Sequence, residues 1–427
     1  MTASSTNQTT RGPSSEDVRA LATAVDEHRL GRLINDLAAF GARDDGGVNR
    51  QALTKDDFRG RRFLIDLARG YGATAHQDTI GNLFFRVEGS DPHALPVVTG
   101  SHADSQPTGG KLDGAYGVCA AIEVLAALRD SGVSHRRPVE AVIWTNEEGC
   151  RFPPGSMGAS AFTDPGLLAG FLGTADKDGI TVEEELSAVV ADFSDVPSRP
   201  LGAPLAAFVE AHIEQGPILE AVGIPVGVVR GIQGTRWFEV ETTGVAAHAG
   251  STPKGARDDA LRKATAIASD AYRLFAAGDD NLRLTIGRMN VAPGSINVIP
   301  ERVSFSVDLR HPETATLESA ESTLRSIVAS QDGATIARVM EMPPTPFDEV
   351  IQRTIADAAR LLGIPAVPID SGAFHDSLHL AGHAPTGMVF VPSRGGLSHN
   401  PNEYTDLTDL ATGTRVLAAT VLALAND

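Results

Sequence analysis

Cysteine is almost absent from this 427-residue chain: only Cys119 and Cys150 occur. A disulfide framework is therefore excluded, and a reduced, cytoplasmic setting fits. Basic residues are in deficit. Thirty-six Lys and Arg face 54 Asp and Glu, for a formal charge of −18. Such a surface repels nucleic acid and anionic membranes, so neither is an expected partner, although a local Arg can still collect an anionic substrate. No apolar stretch is read as approaching the roughly 20 residues that a membrane span requires. The opening MTASSTNQTTRGPSSED has no basic segment followed by an apolar run and does not read as a secretory signal. Gly109-Gly110-Lys111 is followed by Leu112, so no complete phosphate loop is present. Gly155-Ser156-Met157-Gly158 lacks the spacing of a serine-hydrolase elbow.

What is present is enough for folded cores, with hydrophobic residues at 42%. The length exceeds the usual ceiling for one core and predicts two domains. Residues 1–15 read as a disordered leader. Residues 16–40 have helical apolar spacing, as do 55–69 and 115–128. Apolar runs at 95–99, 139–145 and 206–213 read as buried strands. Alternating strands and helices predict an α/β fold, with a mostly parallel sheet flanked by helices. From about Gly227 the pattern changes. Strand-like runs at 237–242, 282–289, 302–309 and 334–342 accompany helical runs at 256–275 and 315–330. This order predicts an α+β sandwich inserted over 227–343, between the two halves (16–226 and 344–427) of the first domain. The second half carries helices at 351–362 and 410–424 and a strand at 387–391.

Potential metal-handling side chains lie in short stretches that place a ligand rather than build a core. They are GSHAD (100–104), KLDG (111–114), TNEEG (145–149), AHIEQG (211–216) and GGLSHNP (395–401). Histidines and carboxylates of this kind suffice for two divalent ions sharing one carboxylate, and they suit zinc, manganese or cobalt. A paired site of that sort activates water for hydrolysis. Each residue also has a plainer reading. His102-x-Asp104 recurs in ordinary loops. Asp113, before a helix, reads as well as an N-cap. Glu147 and Glu148 could be a solvated face, but they follow an apolar strand and precede Gly149. Adjacent glutamates cannot easily ligate one ion together, so one should ligate and the other act as general base. His212 alone reads as a core histidine and His399 as a loop residue. Cys150 reads as a free thiol beside the site, since no base is positioned for it. The joint occurrence of all these stretches in order favours a site.

The stretches GSHADSQPTGGKLDG, WTNEEGCRF, HIEQGPILE, AAHAGSTP, GSINVIPERVSFSVDLR and FVPSRGGLSHNPNEYT resemble the metal-dependent amidohydrolases of the carboxypeptidase G/aminoacylase superfamily. More narrowly they resemble its hydantoinase/carbamoylase branch, over nearly the whole chain after the leader. That branch holds N-carbamoyl-L-amino acid hydrolases, β-ureidopropionases and allantoate amidohydrolases. The resemblance implies hydrolysis of a linear amide or ureido C–N bond. It implies that His102 and His212 hold one divalent ion (zinc, manganese, cobalt or nickel), that Glu148 and His399 hold a second, and that Asp113 bridges them. Glu147 would be the general base, and Asp104 would orient His102 through its ring N–H. His248 would polarise the scissile carbonyl, Gln215, Asn297 and Arg310 would contact the substrate, and Arg310 would grip its carboxylate. The inserted domain would act as a lid and mediate a homodimer, with His248 reaching across it.

One departure concerns Ser371-Gly372-Ala373-Phe374-His375-Asp376, where the branch commonly has Gly before His-Asp and this chain has Phe374. It bears on substrate preference. Candidate substrates are N-carbamoyl-L-amino acids, with allantoate or β-ureidopropionate as alternatives. An aminoacylase, a dipeptidase and a catalytically silent metal-binding scaffold stand behind these.

Overall fold

The computed structural model describes residues 13–427. The described chain forms two compact units, one running up to Arg230 and resuming over Phe347–Asp427, the other comprising Gly231–Pro346.

The first unit is built on a sheet whose centre is parallel. Val97–His102 pairs in parallel with Val139–Trp144 on one side and Ala207–Ile213 on the other, and Ala207–Ile213 pairs in parallel with Thr386–Val391. Every residue of these strands is buried. That burial explains their near-continuous apolar runs, because a strand covered on both faces has no polar side to alternate with. Antiparallel strands Thr74–Gln77 and Leu83–Val87 extend one edge, and Val226–Ile232 extends the other.

On one face lies the helix Ala115–Ser131, buried at every position from Ala115 to Leu128. It is apolar all round because helices Ser15–Ala24, Glu27–Ala38 and Leu407–Ala425 pack against it. The opposite face carries Phe84, Trp144, Phe162, Phe208 and Leu380.

The second unit has an antiparallel sheet in the order Met289–Ala292, Arg302–His311, Gly234–Thr243, Ala334–Met342, with Arg283–Thr285 also on Arg302–His311. Along Arg302–His311, buried Val303, Phe305, Val307 and Leu309 alternate with partly exposed residues. The buried row packs on helices Ala260–Ala276 and Thr314–Ala329, which lie on one face. A two-residue pairing joins Ala247–His248 to Val298–Ile299.

Several elements differ from expectation. The single helix over 16–40 is two helices, because Val25 is extended and the Asp26 side chain caps the amides of His28 and Arg29. Of the leader, residues 1–12 lie outside the described residues, while Ser14 caps the first helix and Ser15 begins it. The strand-like run 282–289 is interrupted between Thr285 and Met289. Leu407–Ala425 is 19 residues long and apolar enough to cross a membrane by length and composition, contrary to the sequence reading. Its most apolar window is 67% buried against the first unit, which is how a core helix passes the same test.

Candidate metal centre

The parallel strands end together, and their carboxyl ends deliver the candidate ligands, where open α/β sheets place their sites. His102 is the last residue of Val97–His102, and its Nδ1 donates to the Asp104 main-chain carbonyl at 2.9 Å. His212 is the penultimate residue of Ala207–Ile213, and its Nδ1 donates to the Ile213 carbonyl at 2.9 Å. A carbonyl can only accept, so both rings carry the proton on Nδ1 and turn the Nε2 lone pair inward.

Both Nε2 atoms face one oxygen of Asp113. Its Oδ1 lies 3.8 Å from His102 Nε2 and 3.3 Å from His212 Nε2, while its Oδ2 lies 3.2 Å from His399 Nε2. The N-cap of the following helix is Gly114 and no side chain caps it. Asp113 is therefore not a cap, and its two oxygens are divided between two sets of partners. Glu148 Oε2 lies 3.5 Å from His399 Nε2, and Glu147 Oε2 lies 3.5 Å from His102 Nε2. The candidate ligand atoms fall into two overlapping groups, His102–Asp113–His212 and Asp113–Glu148–His399. A third, Glu210–His212–His375, is already committed. Glu210 accepts from Ser101 and from the amide and hydroxyl of Ser377, and His375 Nε2 pairs with Ser371 Oγ.

The electrostatics match this division. Burial alone would raise Asp113, but the facing rings of His212 and His399 outweigh it and hold the carboxyl well below the usual range. Burial pushes Glu148 up to about 7, with the Asp113 charge adding to it. Burial, then Asp376 and Glu148, drives Glu147 well above the ordinary carboxylate range. Burial opposes protonation of His212, but Asp113 outweighs it and raises the ring to about 9. His399 rises to about 9 chiefly through Asp113. The Gly114 amide also donates to His212 Nε2 at 3.1 Å, which requires a lone pair there. The neutral Nδ1–H tautomer meets that requirement, and the affinity Asp113 confers on this nitrogen for a proton is equally an affinity for a cation. Imidazole nitrogens and carboxylate oxygens converging from buried His102, Asp113 and His212, partly buried Glu148 and exposed His399 fit divalent metal ions.

Asp104 behaves differently from expectation. Its carboxylate stands 3.8 Å from His102 Nδ1 and instead accepts the amides of Glu147 and Glu148, each at 3.2 Å. The main-chain carbonyl orients the ring because it reaches Nδ1 first. Asp104 thus ties the His102 loop to both glutamates.

Gln215, at φ +56°, donates from Nε2 to Asp113 Oδ2 at 2.9 Å and to Ser398 Oγ at 3.0 Å. Its Oε1 is buried and has no hydrogen-bond partner among the described residues. The remaining expected substrate residues lie on the second unit. His248 Nδ1 accepts the amides of Gly250 (3.0 Å) and Ser251 (3.1 Å), so its proton sits on Nε2 as a donor. Asn297 is joined to it through the Ala249 amide on the Asn297 carbonyl. Arg310 pairs with Asp308 on its own strand, Nη2 to Oδ2 at 2.9 Å.

Some residues of the centre carry no signal in the sequence. Glu403 accepts the amides of Leu112 (2.9 Å) and Asp113 (3.0 Å) and the Ser398 hydroxyl (3.0 Å), which fixes the Asp113 main chain. Gln106 holds Glu148 through its amide and its Nε2. Cys150 donates to Gln106 Oε1 at 2.9 Å, and burial followed by the Glu148 charge pushes its thiol up to about 12. It is a structural hydrogen-bond donor and not a thiolate.

Fold and centre together fit an amidohydrolase with a candidate metal-ligating cluster. Residues 98–423 match the model of peptidase family M20/M25/M40, and the chain belongs to that metal-dependent family. Within it the chain falls in the hydantoinase/carbamoylase branch. It is 36% identical over 408 residues to the N-carbamoyl-L-amino acid amidohydrolase of Geobacillus stearothermophilus, covering 94% of this chain and 99% of that protein. It is 34% identical over 395 residues to the allantoate amidohydrolase of Bacillus subtilis (strain 168), covering 91% and 95%. A solved hydantoinase/carbamoylase family amidase from Burkholderia multivorans superposes with a TM-score of 0.89 at 42% identity, covering 94% of this chain and 98% of that one.

Proposed function

We propose that the chain hydrolyses the linear ureido C–N bond of an N-carbamoyl-L-amino acid, with two divalent ions per subunit. The observation that carries this reading is Asp113, whose two oxygens serve His102 and His212 on one side and His399 on the other. In this reading His102 and His212 hold one ion, Glu148 and His399 the other, and Asp113 is shared. Zinc, manganese, cobalt and nickel all suit the donor set. When bound, such a pair supplies Lewis-acid activation of water and of the substrate carbonyl.

The protein groups do the rest. Glu147 takes the proton from water and returns it to the departing nitrogen. Its high proton affinity, set by burial and by Asp376, suits a base that must hold a proton between the two transfers. Asp104 keeps Glu147 and Glu148 in place through their amides. His248, with its proton on Nε2, donates to the carbonyl oxygen as charge develops there. Gln215 and Asn297 contact the substrate, and Arg310 pairs with its carboxylate as a planar fork. The second unit closes over substrate and forms a homodimer, and His248 serves the partner's site.

Allantoate is the second reading, because it shares the ureido group and a carboxylate and because the Bacillus subtilis allantoate amidohydrolase is similar over nearly its whole length. One assay separates the two. Ammonia release is measured from N-carbamoyl-L-amino acids, β-ureidopropionate and allantoate, with manganese, cobalt, nickel or zinc. Preferred turnover of an N-carbamoyl-L-amino acid supports the first reading, and preference for allantoate replaces it with the second. No release from any ureido acid contradicts both.

A further inference from the structure

Arg50 is a buried cation, 2% exposed. The hydrogen bonds of its side chain all end on main-chain carbonyls. Nε donates to Ala103 at 2.8 Å, and Nη1 donates to Leu37 at 2.7 Å and to Phe40 at 2.9 Å. No carboxylate pairs with it among the described residues, whereas Arg61, equally buried, pairs with Asp57 at 3.0 Å. Taking a guanidinium out of water without a carboxylate partner is costly, and neutral carbonyls offset only part of the cost. Chains break such local rules chiefly at functional sites.

What Arg50 holds is a loop of the centre. Ala103 stands between His102 and Asp104. The Asp104 carbonyl accepts His102 Nδ1, and its carboxylate accepts the amides of Glu147 and Glu148. On the other side of Asp104, Ser105 Oγ accepts the Arg50 amide at 2.9 Å, and the Ser105 amide donates to the Arg50 carbonyl at 3.0 Å. One residue thus grips both chain neighbours of Asp104. The far end of its fork lies at the carboxyl end of the helix Glu27–Ala38, where a cation is favourable. That helix packs against Ala115–Ser131, which follows Asp113 and Gly114. The guanidinium therefore spans from the His102–Asp104 loop to the framework that places Asp113.

A guanidinium presents its donors in a rigid plane, so it can hold both ends of this span at once, whereas an ammonium is a single point. We infer that Arg50 is a positioning residue that sets His102 and Asp104, and through Asp104 both Glu147 and Glu148, relative to Asp113. The fork does this and not the charge alone. This rests on the proposed metal-dependent hydrolysis.

The test measures manganese affinity of the chelated protein by calorimetry, and kcat and KM with the N-carbamoyl-L-amino acid that the parent turns over fastest, all well below the Tm of each variant. Arg50→Lys keeps the buried charge and loses the fork. It should weaken manganese binding and lower kcat, each at least ~10-fold, the loss expected when a group that orients ligands is removed. KM should stay within about 3-fold, because the glutamates are displaced and the substrate contacts are not. Parent-like affinity or parent-like kcat in Arg50→Lys would overturn the inference, whether because the charge suffices or because Arg50 serves only the Tm. So would a rise in KM as large as the fall in kcat. If Arg50→Lys does not fold, Ser105→Ala frees the loop on the other side of Asp104 and leaves the guanidinium in place. Affinity and kcat should then each fall at least ~3-fold, the loss of one neutral hydrogen bond, and parent-like values of either would overturn the inference. A parent that turns over no ureido acid contradicts the proposed function, and the affinity measurement still decides the role of Arg50.

Discussion

Gly114 faces the imidazole of His102 so closely that a methyl group on it would lie 2.3 Å from Cε1 and Nε2 of the ring. The backbone there is also left-handed, at φ +61°. The residue after Asp113 must therefore be glycine for two reasons, conformation and room for a candidate ligand. Gly114→Ala is expected to displace the ring, weaken manganese binding at least ~10-fold and lower kcat/KM by ~100-fold or more. The backbone strain alone would cost only about 1–2 kcal/mol. Metal titration followed by assay checks this, and normal metal affinity would show that the ring need not stay where it is.

The metal-free protein should lose stability as pH rises from 5 to 9. His399 is raised to about 9, so the stability it contributes is present below its ordinary value and is lost as pH climbs through 9. Burial raises Glu148 and Glu403 to about 7, so their ionisation in the folded state costs stability as pH rises to that value. Asp113 is depressed, and its contribution is lost only in acid, below this window. With EDTA the Tm should be lower at pH 9 than at pH 5.5. Manganese competes with protons for the same atoms, so the Tm gain from metal should grow with pH. A higher metal-free Tm at pH 9 would contradict the assigned charges.

Glu147→Gln keeps the shape of the side chain and removes its basicity. Metal content should stay at the parent level while kcat falls at least ~100-fold, the contribution expected of a general base. Gln106→Ala should do the reverse. It frees Glu148, whose Oε2 accepts Gln106 Nε2 at 2.6 Å, and so weakens metal binding. Near-parent kcat in the Glu147→Gln enzyme would remove Glu147 from its proposed role.

Arg310→Lys keeps the charge and loses the fork. KM for the ureido acid should rise at least ~10-fold with a smaller change in kcat, and substrates amidated at the carboxylate should be poor for the parent. Equal turnover of acid and amide forms would show that Arg310 meets no substrate carboxylate.

Much of the centre was legible because buried parallel strands announce themselves as apolar runs, and the residue that ends such a run is placed at the sheet's carboxyl edge. His102, Glu147, Glu148 and His212 were found in this way. Glu403 was not, because its role is to accept the amides of residues about 290 positions away, and no local pattern records that. Asp376 was noted only as part of the His-Asp pair after Phe374, and nothing in that stretch records its burial. The edge strands Thr74–Gln77 and Leu83–Val87 escaped because they are short and interrupted by Asp78 and Gly81. Asp104 was recognised but given the wrong partner atom, since sequence does not distinguish a main-chain carbonyl from the carboxylate beside it.

The central claim is that Asp113 is shared between two ions that together drive hydrolysis. Titrating the chelated enzyme with manganese while following both bound metal and ammonia release tests it most directly. The account predicts negligible activity without metal, full activity at two ions per chain, and loss of both metal and activity in Asp113→Ala. Full activity after exhaustive chelation, or a plateau at one ion per chain, would contradict it.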